Sequence, residues 1–387
     1  MINVAVIGTG SISTKHIAGF KQFADRCKVV ALMDIYPEKS KKLNEQYNLN
    51  ADIYSDHQEL LKREDIDVVS ICTPPYTHAS LTVDSLNAGK HVLVEKPMAS
   101  SLKECDEMNA AAKTNHKILS VIAQNRFLSP MFKLKNVLDS GELGKIAHAQ
   151  IDSFWWRGHS YYDLWWRGTW EKEGGGCTLN HAVHHIDLLQ WMMGAPTDVT
   201  AITTNVMHDN AEVEDLSVAI FRFSKGRLGQ VTSSVVHHGE EQQLVFQGEK
   251  ARVSVPWKVK ASIAKENGFP HDESDISLEK KIEDIYDRYP KLQHEEHTGQ
   301  IDNFLTAVEK GEPVLIDGEQ GRRTLELIMA IYKSANTGQT VKLPLAKDDP
   351  FYTSEGVKAN VRHFFEKKNN IENFSDNTIT TGTLNRH

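Results

Sequence analysis

Two short stretches hold most of the side chains able to do chemistry. The first is Glu95-Lys96-Pro97, which closes the apolar run HVLV and so sets a lysine at the end of a strand. In open α/β sheets ligands bind at that carboxyl edge, and burial there lowers a lysine's pKa toward the range of proton traffic. Pro97 is a candidate for a cis peptide. The second stretch is GGGCTLNHAVHHID. In a helix that begins after Gly176, residues Asn180, His184 and Asp187 stand at i, i+4 and i+7 and share one face. Leu179, Ala182, Val183, Ile186 and Leu189 take the neighbouring, apolar face. A histidine presented from such a helix can take a proton from an alcohol as hydride leaves the same carbon. Each residue also has a bland reading, an exposed strand-end lysine and a packed core histidine. His181, His184 and His185 have HxxH spacing, but no cysteine pair or HExxH pattern supplies further ligands, so no metal is expected.

A third constellation lies at the start of the chain. The run VAVIGTGSIS leads an apolar strand straight into a glycine turn, and KVVALMD ends in Asp34, 24 residues after Gly10. Gly8 permits the tight turn, Gly10 lets backbone N–H groups approach a pyrophosphate, and a helix starting near Ser11 aims its positive end at that charge. Ser13 stands where a third glycine is usual, still a small residue. Asp34 suits the ribose hydroxyls and repels a 2′-phosphate; Ile35, Tyr36, Pro37 and Glu38 offer no compensating cation, and Lys39 reads as an exposed helix-start lysine. NAD is therefore expected over NADP.

These residues need a scaffold. At 387 residues and 40% hydrophobic content the chain has material for two cores. Strands and helices alternate as far as KILSVIAQN, the pattern of a doubly wound parallel sheet. From IAHAQIDSFWW onward the rhythm changes to strands separated by turns such as SKGR and GEKA, which predicts a large open antiparallel sheet. The expected division is a dinucleotide-binding domain over 1–125, a substrate-binding and oligomerisation domain over 126–344, and a polar extension over 345–387 whose last residues are disordered or used in subunit contacts. The late helices HTGQIDNFLTAVEKG and QGRRTLELIMAIYKSANTG lead the chain back toward the first domain.

Composition excludes several classes. A net charge of -8, a pI near 6.1 and scattered Lys and Arg argue against a nucleic-acid partner. No apolar run approaches a membrane span, and a first strand at residue 2 leaves no room for a signal peptide, so a cytoplasmic protein is expected. Cys27, Cys72, Cys105 and Cys177 lack metal-ligand spacing and read as reduced, buried thiols. Five tryptophans at 155, 156, 165, 166 and 170, interleaved with Arg157, Tyr161, Tyr162 and Arg167, offer flat faces and donors that suit a sugar ring; a core or subunit contact is the plainer reading.

GTGSIS, CTPPYTH, VEKP and the GGG triplet followed by the Asn180 to Asp187 helix occur in the order found in the Gfo/Idh/MocA oxidoreductases, and the chain resembles that family to about Pro344, with His297 and Asn303 also fitting. The resemblance implies a Rossmann domain, a C-terminal α/β domain with an open antiparallel sheet, and NAD(P)-dependent oxidation or reduction of sugars, cyclitols or their derivatives. It places Lys96 and His184 on the family's catalytic pair, His184 as general acid/base, with Asn180 beside them. Inositol dehydrogenases of the family carry aspartate at that last position, so myo-inositol is not the expected substrate. On this reading Gly8, Gly10, Ser11, Ile12, Asp34, Thr73, Pro74, His78, Glu95, Lys96 and Asn125 bind the cofactor. Arg126, Arg157, Tyr162, Arg167, Trp170, Asn180 and His184 meet the substrate, and the open sheet joins a homodimer or homotetramer. Two other functions compete: a glycoside hydrolase that oxidises its sugar transiently with NAD, and a catalytically silent dinucleotide-binding sensor. Retention of Lys96 and His184 speaks against the sensor.

Overall fold

The first strand, β1 (Ile2–Ile7), is buried along nearly its whole length, as a strand covered on both faces must be. The computed structural model describes residues 1–372 and Phe374. After β1 come α1 (Ser13–Lys21), β2 (Cys27–Met33), α2 (Pro37–Tyr47), β3 (Asp52–Tyr54), α3 (His57–Leu61), β4 (Val68–Ile71), α4 (His78–Asn87), β5 (His91–Val94), α5 (Leu102–Thr114) and β6 (Leu119–Val121). The six strands are all parallel, in the order β3-β2-β1-β4-β5-β6. The chain reverses its winding between β1 and β4, which opens a crevice at their carboxyl ends. The glycine turn after β1 and the loop after β4 flank that crevice, and the Glu95-Lys96-Pro97 stretch follows β5.

The second half begins with α6 (Ser129–Asp139) and β7 (Ile146–Phe154), followed by a long aromatic segment, α7 (Cys177–Asn180) and α8 (Val183–Met193). Then follow β8 (Asp198–Thr204), β9 (Leu216–Arg222), β10 (Leu228–Ser234), β11 (Gln243–Gly248), β12 (Arg252–Val255) and β13 (Lys258–Lys260). A small hairpin, β14 (Ser262–Ala264) with β15 (Pro270–Ser274), precedes α9 (Ile276–Arg288), α10 (Glu296–Lys310), α11 (Gly318–Thr337), β16 (Val341–Lys342) and α12 (Ser354–Asn360). The large sheet has eight strands in the order β13-β12-β11-β7-β10-β9-β8-β16. It is mixed rather than wholly antiparallel, because β7 and β10 run parallel. The helices between β7 and β8 carry the chain across to the far side, and the β8–β9–β10 hairpins then bring it back beside β7. α8 and α11 cover one face. On the other, Ile202, Val218 and Ile220 are exposed, matching the in–out alternation of β8 and β9.

One further feature differs from the pattern read in the sequence. The helix expected to run unbroken from Gly176 to Gly194 is split into α7 and α8 around His181 and Ala182. In a continuous helix the Asn180 carbonyl would accept the His184 N–H; here it accepts the Lys96 ammonium at 2.8 Å. α10 does lead the chain back to the first half, as its sequence suggests: its Ile301, Phe304 and Leu305 join a core with Val4, Ile17 and Phe20 and complete the packing around α1. After α12 the chain lies along the aromatic segment. Arg362 O accepts the Trp170 indole N–H at 3.1 Å, and the Lys367 ammonium donates to Leu164 O, Arg167 O and Tyr162 O. The end of the tail, where disorder or a subunit contact is expected, lies outside the described residues. All four cysteines are free and buried. Among the described residues no helix is long and apolar enough to cross a membrane.

Candidate active site

The glycine turn is shaped for a ligand. Gly8 has φ +87°, and a Cβ there would stand 2.8 Å from the Cys72 backbone, so both conformation and close approach demand glycine. At Gly10 a Cβ would meet no protein atom within 4 Å. The N–H groups of Gly10, Ser11 and Ile12 have no acceptor among the described residues, just ahead of the N-terminus of α1. Free donors facing open space at a helix N-terminus fit the pyrophosphate of a dinucleotide. Asp34 is pinned beside this turn: Oδ2 accepts the Thr9 N–H and hydroxyl at 2.8 and 3.0 Å, and Oδ1 accepts the Tyr36 N–H at 2.9 Å. Thr73 and Pro74 lie half-buried after β4. His78 bridges Thr73 O and Pro97 O at 2.8 Å each and so ties the loop after β4 to the loop after β5. Asn125 is half-buried in a single turn after β6.

Glu95 is buried between two histidines. Its Oε1 lies 2.9 Å from His16 Nε2 and 3.2 Å from His297 Nε2, its Oε2 accepts the Lys96 N–H at 3.0 Å, and His16 Nδ1 pairs with the Ser70 hydroxyl. Burial opposes the charge on Glu95, but both histidines outweigh it and hold the carboxyl well below its ordinary range. Burial opposes the charge on His16 too, and Cys72 with Glu95 overcomes it, raising the pKa to about 10. The three ligand atoms are close enough to hold a metal ion. Glu95 accepts from both histidines, while His297 Nδ1 has no hydrogen-bond partner among the described residues.

Lys96 reaches across to the second half. The Lys96–Pro97 peptide is cis. Lys96 Nζ donates to Asn180 O at 2.8 Å and Asn180 Oδ1 at 3.3 Å, and Lys96 lines one cavity with His184, Asp187 and Thr324. Burial lowers the Lys96 pKa, as does Arg167, against Glu95 and Glu173. Lys96, Asn180 and His184 are half-open, whereas His181 and His185 are buried. The His184 imidazole has no hydrogen-bond partner among the described residues, and burial together with the Lys96 charge holds its pKa well below 6.5. It is a neutral base at neutral pH. His185 is fully buried with no hydrogen-bond partner among the described residues, its pKa pushed down to about 4 by burial alone. Of the three adjacent histidines, the sequence therefore singled out the accessible one.

The GGG triplet explains how α7 comes so close: a Cβ on Gly176 would lie 1.9 Å from Glu214 O. The residues expected to meet substrate divide into two sets. Arg157 and Arg167 flank Tyr161, with Arg157 paired to Glu240 at 2.6 Å and Arg167 to Glu173 at 3.2 Å. The other three face inward. Tyr162 is buried against His208, Trp170 packs edge-on to Tyr332, and Arg126 makes two 2.7 Å bonds to Asp187 in the core. Arg126 thus spends its guanidinium on Asp187 rather than offering it to the cavity. Two residues of the site, His16 and Glu173, were not marked by the sequence reading, and His181 was weighed there only as a metal ligand. Burial is what makes them notable, and an acid between Lys172 and a glycine triplet carries no local signal of it.

Comparison with known proteins agrees with this geometry. The N-terminal Gfo/Idh/MocA model, described as an oxidoreductase family with an NAD-binding Rossmann fold, matches residues 2–123. The model of the family's C-terminal alpha/beta domain matches residues 135–343. The myo-inositol 2-dehydrogenase of Thermotoga maritima is 26% identical over 347 residues, 88% of this chain and 98% of that protein. The D-glucoside 3-dehydrogenase of Escherichia coli is 27% identical over 362 residues, 88% of this chain and 97% of that protein. The WlbA dehydrogenase from Bordetella pertussis, solved with NADH and UDP-GlcNAcA, superposes with a TM-score of 0.76 at 28% identity, covering 89% of this chain and 98% of that one. With a glycine turn built for a dinucleotide and both halves matched, this chain belongs to the Gfo/Idh/MocA family of NAD-binding oxidoreductases.

Proposed function

We propose that the protein is a dehydrogenase that prefers NAD and oxidises a secondary hydroxyl of a sugar, sugar derivative or cyclitol. One observation carries this reading: Lys96, Asn180 and His184 are half-open polar side chains gathered on an otherwise buried floor, at the carboxyl edge of the Rossmann sheet. Bound NAD supplies the hydride acceptor. His184, neutral and without another partner, takes the hydroxyl proton. The Lys96 ammonium, held by Asn180, lies on the same oxygen and stabilises its developing negative charge. Arg157, Arg167 and Tyr161 offer donors and a flat face to the ring, while Arg126, Tyr162 and Trp170 support them from behind. Asp34 beside the glycine turn favours ribose hydroxyls over a 2′-phosphate. The exposed apolar face of β8 and β9 is our candidate for pairing with a second copy.

The test is a screen for NADH formation over cyclitols, free sugars, anhydrosugars and glucosides, with glycoside cleavage followed in parallel. His184→Ala should lower turnover on a substrate so found by about 10²–10⁴-fold while leaving NAD binding intact. Cleavage without accumulating NADH would replace this reading with transient oxidation. A His184→Ala enzyme with unmodified turnover would remove His184 from the chemistry.

A further inference from the structure

Behind Asn180 sits a buried carboxylate that the chemistry above does not use. Glu173 is 2% exposed, and each hydrogen bond it makes among the described residues is accepted from a donor. Its Oε2 accepts the Gly168 N–H at 2.5 Å, and its Oε1 accepts Arg167 Nη1 at 3.2 Å and the Asn180 side-chain N–H. A protonated acid would need an acceptor for its O–H, and none of these three groups is one. Burial keeps the Glu173 pKa above the ordinary carboxylate value against the pull of Arg167, Gly168 and Asn180, and it is the three donors that favour the carboxylate. The pocket is built for the ionised form.

The same contact fixes which way the Asn180 amide points. With its N–H turned toward Glu173, its Oδ1 is turned toward the Lys96 ammonium, 3.3 Å away. Ammonium, amide and carboxylate thus line up head to tail, each donating to the next. We propose that Glu173 is a positioning residue of the reaction centre, acting on Lys96 through the side-chain amide of Asn180. This proposal rests on the reading of Lys96 as the group that holds the reacting oxygen. The chain explains why an amide occupies position 180. An aspartate there would face the Glu173 carboxylate across a hydrogen-bond distance, and the two could not both stay ionised.

The charges facing Lys96 come from several elements. Glu95, at the end of its own strand, is balanced by His16 of α1 and hydrogen-bonded by His297 of α10. His184 on α8 and His181 after α7 are held neutral by burial. Arg167 and Glu173 arrive together from the aromatic segment. Glu173→Gln removes the negative member of that last pair and leaves Arg167 beside the ammonium, so the Lys96 pKa should fall by about one unit, the scale of a single nearby charge.

Two measurements test this. The Lys96 pKa is read by NMR of lysine labelled at Cε, assigned with Lys96→Arg, and needs no substrate; it therefore stands even if the sugar screen finds nothing. Glu173→Gln should lower it, and an unchanged value overturns the proposal. The second measurement is kcat/KM against pH for Glu173→Gln, Asn180→Asp and the double variant. Each single change should cost at least about tenfold, because one leaves the amide without its anion and the other sets two carboxylates together. In the double variant an acid and an amide again face one another in reversed order, with the amide oxygen at position 173 left for the Gly168 N–H while Arg167 Nη1 gives up its acceptor, so kcat/KM should recover only in part, to well above the product of the two single losses. Losses that simply multiply would show that Glu173 only fills space. If Glu173→Gln alone does not fold, the double variant decides: it folds and turns over when the pair is the unit, and stays inactive otherwise.

Discussion

Arg126→Ala separates two roles that one arginine cannot fill at once. Its side chain is 1% exposed and that of Asp187 5%, and the two 2.7 Å bonds between them use both carboxylate oxygens. Thr324 Oγ1 adds a third bond to Asp187 at 3.1 Å, and Gln320 accepts from Arg126 Nη2 at 3.3 Å. Removing the guanidinium leaves a buried carboxylate with one remaining hydroxyl donor, and breaking such a pair costs about 3–5 kcal/mol. At roughly 2–4 °C per kcal/mol for a domain of this size, the melting temperature should fall by about 6–20 °C. Replacing both partners by apolar residues of similar volume, Arg126→Met with Asp187→Leu, should restore most of the loss, since no lone charge is left behind. The assay is thermal unfolding by circular dichroism beside the apparent KM for substrate. A melting temperature within about 2 °C of the unmodified protein, together with a tenfold higher KM, would refute this account and return Arg126 to the substrate.

Three further outcomes are expected. Asp34→Ser should narrow the preference for NAD over NADP, and equal efficiency with NADP in the unmodified enzyme would defeat the ribose assignment. Because His184 must be neutral to accept a proton, and burial with Lys96 holds its pKa well below 6.5, oxidation should be fully supported at pH 6.5 and fail only below it; an acidic inflection at or above 6.5 would contradict this. Ile220→Glu, on the exposed face of the large sheet, should shift the mass seen by light scattering toward the single chain; an unchanged mass rules that face out.

The Rossmann half was legible because its signals are local. A strand, a glycine turn and an acid at a set distance fall within one βαβ unit, and the parallel pairing of its six strands follows from their alternation with helices. The strands of the large sheet were legible one at a time. Their pairing was not: whether β7 meets β10 in parallel depends on where a long crossover lands, which turn residues do not encode. The break between α7 and α8 was hidden for a related reason. Nothing in CTLNHAVHHIDLL opposes a continuous helix; what claims the Asn180 carbonyl is a lysine 84 residues earlier. That α10 returns to the first half was legible; which residues of β1 and α1 its apolar stripe meets, three hundred residues upstream, was not.

Histidine shows most sharply where residue type stops being informative. His16, His184 and His185 begin from the same ordinary pKa near 6.5 and are all pressed by burial toward the neutral form. His185 has nothing to set against it and falls to about 4. His16 meets the same penalty but faces Glu95 and Cys72, and rises to about 10. His184 is pushed down further by Lys96, yet it keeps an accessible ring with no bond to satisfy. A proton acceptor in oxidation must be neutral, reachable and uncommitted. His16 is charged and committed, and His185 is unreachable. The sequence reading named His184 and His185 and passed over His16; only the partners brought in by α1, β5 and the α7–α8 break leave His184 with the properties the chemistry requires.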